Sequence, residues 1–176
     1  MSLDISAYTG IMKLDAILDE NGKAINAKSG EAVESDWFTA WLNPEFPGRA
    51  DDIVDGAVYS YTNGTGFRVG YAGHFWWRNS LAEIADYPEG GLMNFNRVET
   101  CYFGGAIAAG SGPFYELINF SDSEGIIGTD VSKKLAADFA KFDKQAASVG
   151  GPFYETYLKW KEAFKMASNQ GCVRFY

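Results

Sequence analysis

The chain has 176 residues, 47% hydrophobic and 22% charged, with a formal net charge of −8. That length buries a sizeable core without disulfide or metal support, and that composition excludes disordered and fibrous classes. The acidic balance excludes general binding to DNA or RNA, which needs a basic surface, and excludes docking on anionic membranes.

In chain order, Leu3, Ile5 and Ala7 alternate with Asp4, Ser6 and Tyr8, the period of a half-buried strand, and Met12, Leu14, Ala16 and Leu18 continue it past a kink at Gly10. Asn21-Gly22 predicts a tight hairpin turn. Residues 43–56, with Pro44, Pro47, Gly48 and four acids, predict a surface excursion. A second hairpin is predicted from residues 58–61 and 67–71 about Asn63-Gly64-Thr65-Gly66. Trp77, Leu81 and Ile84 fall on one helical face, which predicts a helix over residues 74–86 that stops before Pro88. Residues 98–103 read as a strand. Residues 104–113 read as a flexible glycine-rich loop without the Gly-Lys-Ser/Thr ending of a phosphate loop. The apolar run 115–120 reads as a strand buried on both faces.

Two amphipathic helices close the chain. The first aligns Val131, Leu135, Phe139 and Phe142 behind Thr129 or Asp130 as N-cap; the second aligns Phe153, Tyr157, Trp160, Phe164 and Ala167 behind Pro152 and ends at Gly171. Residues 172–176 are a candidate final strand. The expectation is a single α+β domain over residues 1–176, with a mixed or antiparallel sheet and three main helices.

Charge is uneven: residues 1–128 carry 7 basic and 18 acidic side chains (net −11), and residues 129–176 carry 8 and 5 (net +3). Four of the five arginines lie in the acidic part, a setting that favours forked hydrogen bonds to carboxylate or phosphate. Aromatic residues make up 16% of the chain, as core mass or as flat faces for stacking. Cys101 and Cys172 lack CxxC spacing, so buried free thiols are expected, with no metal and no cofactor. The start of the chain lacks the basic-then-apolar pattern of a signal peptide, and no apolar run is long enough to span a bilayer, so the expected location is cytoplasmic.

His74 is the only histidine, which removes most routes to acid/base catalysis at neutral pH and ordinary zinc hydrolysis. No GxSxG frames a serine. Asp51-Asp52-Ile53-Val54-Asp55 spells a magnesium-holding DDxxD pattern, but in a Pro/Gly-rich loop it reads as a solvated acidic turn. Ser121 to Glu124 fits a capping box at a helix start; the same turn, with Ser121, Asp122, Ser123 and Glu124, also offers hydroxyls, carboxylates and amides to a polar ligand. The stretch from Arg68 to Arg78 gathers two arginines, Tyr71, His74, Trp76 and Trp77 around two glycines, with Trp76 freer than Trp77 to face solvent. It is either a buried cation–π and salt-bridge cluster or a site for an anionic aromatic ligand.

Three stretches carry a resemblance: the opening Leu3-Asp4-Ile5-Ser6-Ala7-Tyr8; the run from Tyr71-Ala72-Gly73 to Trp77-Arg78 with Leu81-Ala82; and Phe114 to Gly125, which contains Glu116-Leu117-Ile118-Asn119-Phe120-Ser121-Asp122-Ser123-Glu124-Gly125. Together they resemble an uncharacterised family of small phage and bacterial proteins with LDITAY-like and ELINFSDCEG-like strings. Ser123 stands where that family has cysteine, so no thiol role is carried over. The resemblance implies a phage accessory protein, a class whose members bind host molecules, nucleotide immune signals among them.

The leading expectation is a non-catalytic protein that captures a nucleotide-like small molecule. Tyr71, Trp76 or Tyr115 would stack on a base, Arg68 and Arg78 would hold phosphates, and the 121–125 turn would complete the pocket with His74, Trp77 and Asn119 nearby. Two alternatives stand beside it: an interaction or inhibitor module acting on a host protein, and a hydrolase or transferase using Glu116, Asp122 and Glu124. A second copy of the chain is left open as a partner.

Overall fold

A computed structural model describes residues 2–94, 97–122 and 124–176. In chain order its elements are β1 (Ser2–Thr9), β2 (Met12–Lys13), β3 (Ala16–Leu18), β4 (Ala24–Asn26), β5 (Trp37–Thr39), β6 (Val58–Ser60), β7 (Asn63–Gly70) and α1 (Tyr71–Ile84). There follow β8 (Gly90–Asn94), β9 (Arg97–Cys101), α2 (Tyr102–Ala109), α3 (Tyr115–Ile118), β10 (Gly125–Ile127), α4 (Thr129–Lys141), α5 (Asp143–Val149), α6 (Gly151–Ala167) and β11 (Cys172–Phe175).

The main sheet has the order β10-β11-β1-β7 and is antiparallel throughout. The alternation of β1 sets its faces: Leu3, Ile5 and Ala7 are buried with Val173, Phe175 and Ile127 from neighbouring strands. Against this face lie Trp77 and Leu81 of α1, Leu135 and Phe139 of α4, and Tyr157, Trp160 and Phe164 of α6. The last five of these are fully enclosed, so the aromatic excess of the sequence is in large part core mass. A smaller sheet, β2-β6-β5, covers part of the other face, where Phe38 and Tyr59 pack with Ile126 and Cys172. Burial there pushes the Cys172 thiol well above its ordinary pKa.

The structure is α+β with antiparallel sheets, and it corrects the expectation of three main helices: the described residues form six, five of them seven residues or longer. Two of the added helices, α2 and α3, replace a predicted loop and a predicted strand. In α2 the glycines serve close approach rather than flexibility, since a Cβ at Gly105 would lie 1.7 Å from the Pro88 carbonyl oxygen. Segment 115–120 makes a short helix because its carbonyls are held by side chains. Arg49 donates to the Glu116 and Asn119 oxygens (3.2 and 3.0 Å), and Arg78 donates to those of Ile118 and Phe120 (3.1 and 3.0 Å).

Three further readings change. Residues 58–61 and 67–71 do not form a hairpin: β6 joins the small sheet, while β7 pairs with β1 along its whole length, from Ser2 opposite Gly70 to Thr9 opposite Asn63. Gly64 supplies room there rather than a turn, since a Cβ would lie 3.0 Å from the Tyr8 ring. The expected extension of the first strand is divided between β2 and β3, which belong to different sheets. The N-cap of α4 is Gly128 instead of Thr129 or Asp130. The strand over 172–176 is present as β11, beside β1 in the sheet interior.

Candidate functional site

Strand β7 runs directly into α1, and the junction is chemically open. Gly70 is the N-cap and supplies no side-chain hydrogen bond, and the first turn carries no acid. The first amides of a helix have no partner within it and carry its partial positive charge, so they attract anions. Nothing lies within 4 Å of where a Cβ would sit on Gly70 or Gly73. The first turn of α6 has the same character, with Gly150 as N-cap, Pro152 inside the turn, no side-chain cap and no acid. Helix α4 differs: Asp130 lies in its first turn, and Asp52, one of the DDxxD acids, accepts from the Thr129 N–H at 2.9 Å. Asp55 of the same run accepts from the Leu42 N–H at 2.8 Å.

The two uncapped starts line one cleft of about 440 Å³. β7 and α1 contribute Arg68, Gly70, Gly73, His74, Trp76, Trp77 and Ser80; α6 contributes Pro152, Phe153 and Thr156. Trp76 is 61% exposed and meets Phe75 edge to face, while the buried Trp77 donates its indole N–H to the Phe153 carbonyl at 3.2 Å. Arg68 forks onto Asp4 through Nε and Nη2 (2.6 and 3.1 Å) in an open position. A solvated pair of this kind has little net energy, so an incoming oxyanion can compete for the guanidinium.

His74 forms the inner wall. Its ring lies beside those of Trp77 (6.1 Å) and Trp160 (5.5 Å), which are 5.8 Å from each other, and both of its ring nitrogens are buried without a hydrogen-bond partner among the described residues. Burial, aided by the nearby positive charge of Arg78, pushes its pKa down to about 3, so the ring is neutral near pH 7. It can present one N–H donor and one acceptor nitrogen.

The remaining nominated residues lie apart from this cleft. Tyr71 packs at the edge of the main core. Arg78 is 2% exposed, pairs with Asp122, and lies over the Phe103 ring at 5.1 Å. Tyr115 accepts from the Asn119 amide at 2.8 Å, with Arg49 over its ring at 5.5 Å. Ser121 Oγ accepts from the Glu124 N–H at 3.1 Å, as a capping box requires, but strand β10 follows instead of a helix. Ser123 lies outside the described residues. The carboxylates considered for catalysis are held or placed separately: Glu116 by Lys134 (2.5 Å), Asp122 by Arg78, and Glu124 at a different hollow.

Sequence reasoning missed Gly70, Gly73, Phe153 and Thr156 as cleft residues. The available signal was negative: two helix starts, Gly-Tyr-Ala-Gly and Gly-Gly-Pro-Phe, without Ser, Thr, Asp or Asn to cap them. Among the described residues no group of three or more His, Cys, Asp or Glu is placed to hold a metal ion, and no helix is long and apolar enough to cross a membrane. The chain matches no family model, no curated protein and no solved structure. The site geometry therefore carries the functional reading.

Proposed function

We propose that the chain captures a nucleotide-like small molecule in the cleft between α1 and α6, without turning it over. One observation carries this reading: two helix starts, neither capped nor balanced by an acid, open into the same cleft as Arg68 and the exposed Trp76. Phosphate oxygens would meet the first-turn amides and the Arg68 fork, and a base would lie against Trp76. His74 at the inner wall has a pKa of about 3, so it does not exchange protons with a substrate near pH 7. Membership in the family of small phage and bacterial proteins, and a host nucleotide signal as the ligand, belong to the same proposal.

The test is a thermal-shift panel of nucleotides and cyclic dinucleotides beside their parent nucleosides, followed by chromatography of the recovered ligand. The proposal expects phosphate-dependent stabilisation and an intact ligand. Absence of any shift across the phosphate-bearing compounds, or recovery of an altered one, would overturn it.

A further inference from the structure

A second hollow, of about 310 Å³, lies on the face of the main sheet away from the helices, with Trp41, Glu124, Gly125, Arg174 and Tyr176 among its walls. Its placement follows from the strand alternation. Val173 and Phe175 point into the main core, so Arg174 between them points to the opposite face, across from Ser6 of β1 and Ile126 of β10.

Arg174 differs from the other arginines whose side chains are described. Arg49, Arg68 and Arg78 all give their guanidinium N–H groups to oxygen acceptors. Among the described residues Arg174 meets rings only, with its guanidinium carbon 5.2 Å from the Phe38 centroid and 5.2 Å from the Tyr176 centroid. A guanidinium offers its faces to rings and its edge N–H groups to oxygens, so these contacts hold the fork in place and leave its donors for an oxyanion. In a chain of net charge −8, a half-buried arginine without a carboxylate is the feature that asks for a ligand.

Glu124 lines the same hollow and does not pair with Arg174. Its backbone is fixed at both ends, the N–H on Ser121 Oγ and the carbonyl accepting from the Asn43 amide at 3.0 Å. Among the described residues neither Arg174 nor Glu124 has an ion-pair partner, and a cation and an anion on one hollow match a molecule that carries both charges. Trp41 (44% exposed) and Tyr176 (53% exposed) add flat apolar surface beside them.

We propose that this hollow binds a small zwitterion with an aromatic body, of the α-amino-acid class, with its carboxylate on the Arg174 fork, its ammonium on Glu124 and its ring against Trp41. The site is separate from the α1–α6 cleft and does not depend on the reading given to that cleft.

The test titrates the full chain with L-phenylalanine, phenylacetate and phenethylamine, following the Trp41 indole N–H by NMR, with Trp41→Phe to assign the signal. Phenylalanine should bind at least about tenfold more tightly than either singly charged analogue, the factor expected of one added charge-assisted contact. Arg174→Gln should remove the preference for the two carboxylates and leave phenethylamine unchanged, and Glu124→Gln should do the converse. Equal affinities for the three probes, or no response at Trp41, would overturn the proposal. If Arg174→Gln lowers the melting temperature, Glu124→Gln at its exposed position decides alone: an unchanged preference for phenylalanine over phenylacetate sinks the assignment.

Discussion

Arg78 and Asp122 form an ion pair across 44 residues of sequence, one partner sealed in the protein and the other half open to solvent. The guanidinium also donates to the Ile118 and Phe120 carbonyls, so it pins the end of α3 to α1. The pairing joins two residues nominated for ligand contact, and it joins them to each other. Arg78→Ala should therefore reduce folding stability by about 2–5 kcal/mol, because it leaves the buried Ile118 and Phe120 carbonyls without their donor, while Asp122 can turn to solvent. Lysine at this position should not restore the loss, because a point charge cannot reach three divergent acceptors. Chemical denaturation of both variants checks this.

The enclosed rings between sheet and helices set the second expectation. Trp160 and Phe139 have no exposed surface, and Trp160 touches Phe67, His74, Trp77, Phe164 and Phe175. Trp160→Ala and Phe139→Ala should each destabilise by about 3–5 kcal/mol, combining lost transfer energy with an unfilled cavity. Melting curves that match the parent would remove either ring from the core.

His74 makes stability depend on acid. Its pKa is about 3 in the folded chain against 6.5 unfolded, so below pH 6.5 the unfolded state binds the extra proton. The contribution is fully present above pH 6.5 and is lost as pH falls toward 3, at about 1.4 kcal/mol per pH unit. Between pH 6.5 and 4.5 this single group should remove roughly 2 kcal/mol, and His74→Phe should flatten that slope. Denaturation at a series of pH values measures the difference.

Asp52 supplies α4 with the cap that its own Gly128 cannot, through the Thr129 N–H. Asp52→Ala should cost about 1 kcal/mol of stability and leave ligand binding untouched. A binding defect in this variant would return the acidic run at 51–55 to consideration as a site.

Local pattern made β1, α1 and α6 legible, because the alternation of Leu3, Ile5 and Ala7 and the spacing of Tyr157, Trp160 and Phe164 are the packing faces themselves. The helical turn at 115–118 was not legible: its carbonyls are satisfied by Arg49 and Arg78, which lie 40 to 70 residues away in sequence. The pairing of β7 escapes local pattern for the same reason, since its partner is β1 and not its neighbour in sequence. The cleft divides likewise. Arg68, His74, Trp76 and Trp77 come from one continuous stretch that reads as a candidate site, whereas Phe153 and Thr156 reach it only because α6 packs beside α1.

The most direct test of the cleft is nucleotide affinity in Gly73→Asp. The substitution fits, with nothing within 4 Å of the new Cβ, and an acid in the first turn of a helix favours folding. It should leave the melting temperature equal or higher while placing a negative charge where the phosphate is expected. The account predicts that calorimetric affinity for a nucleotide that stabilises the parent falls by about tenfold or more, with affinity for the matching nucleoside unchanged. Nucleotide affinity equal to that of the parent would contradict it.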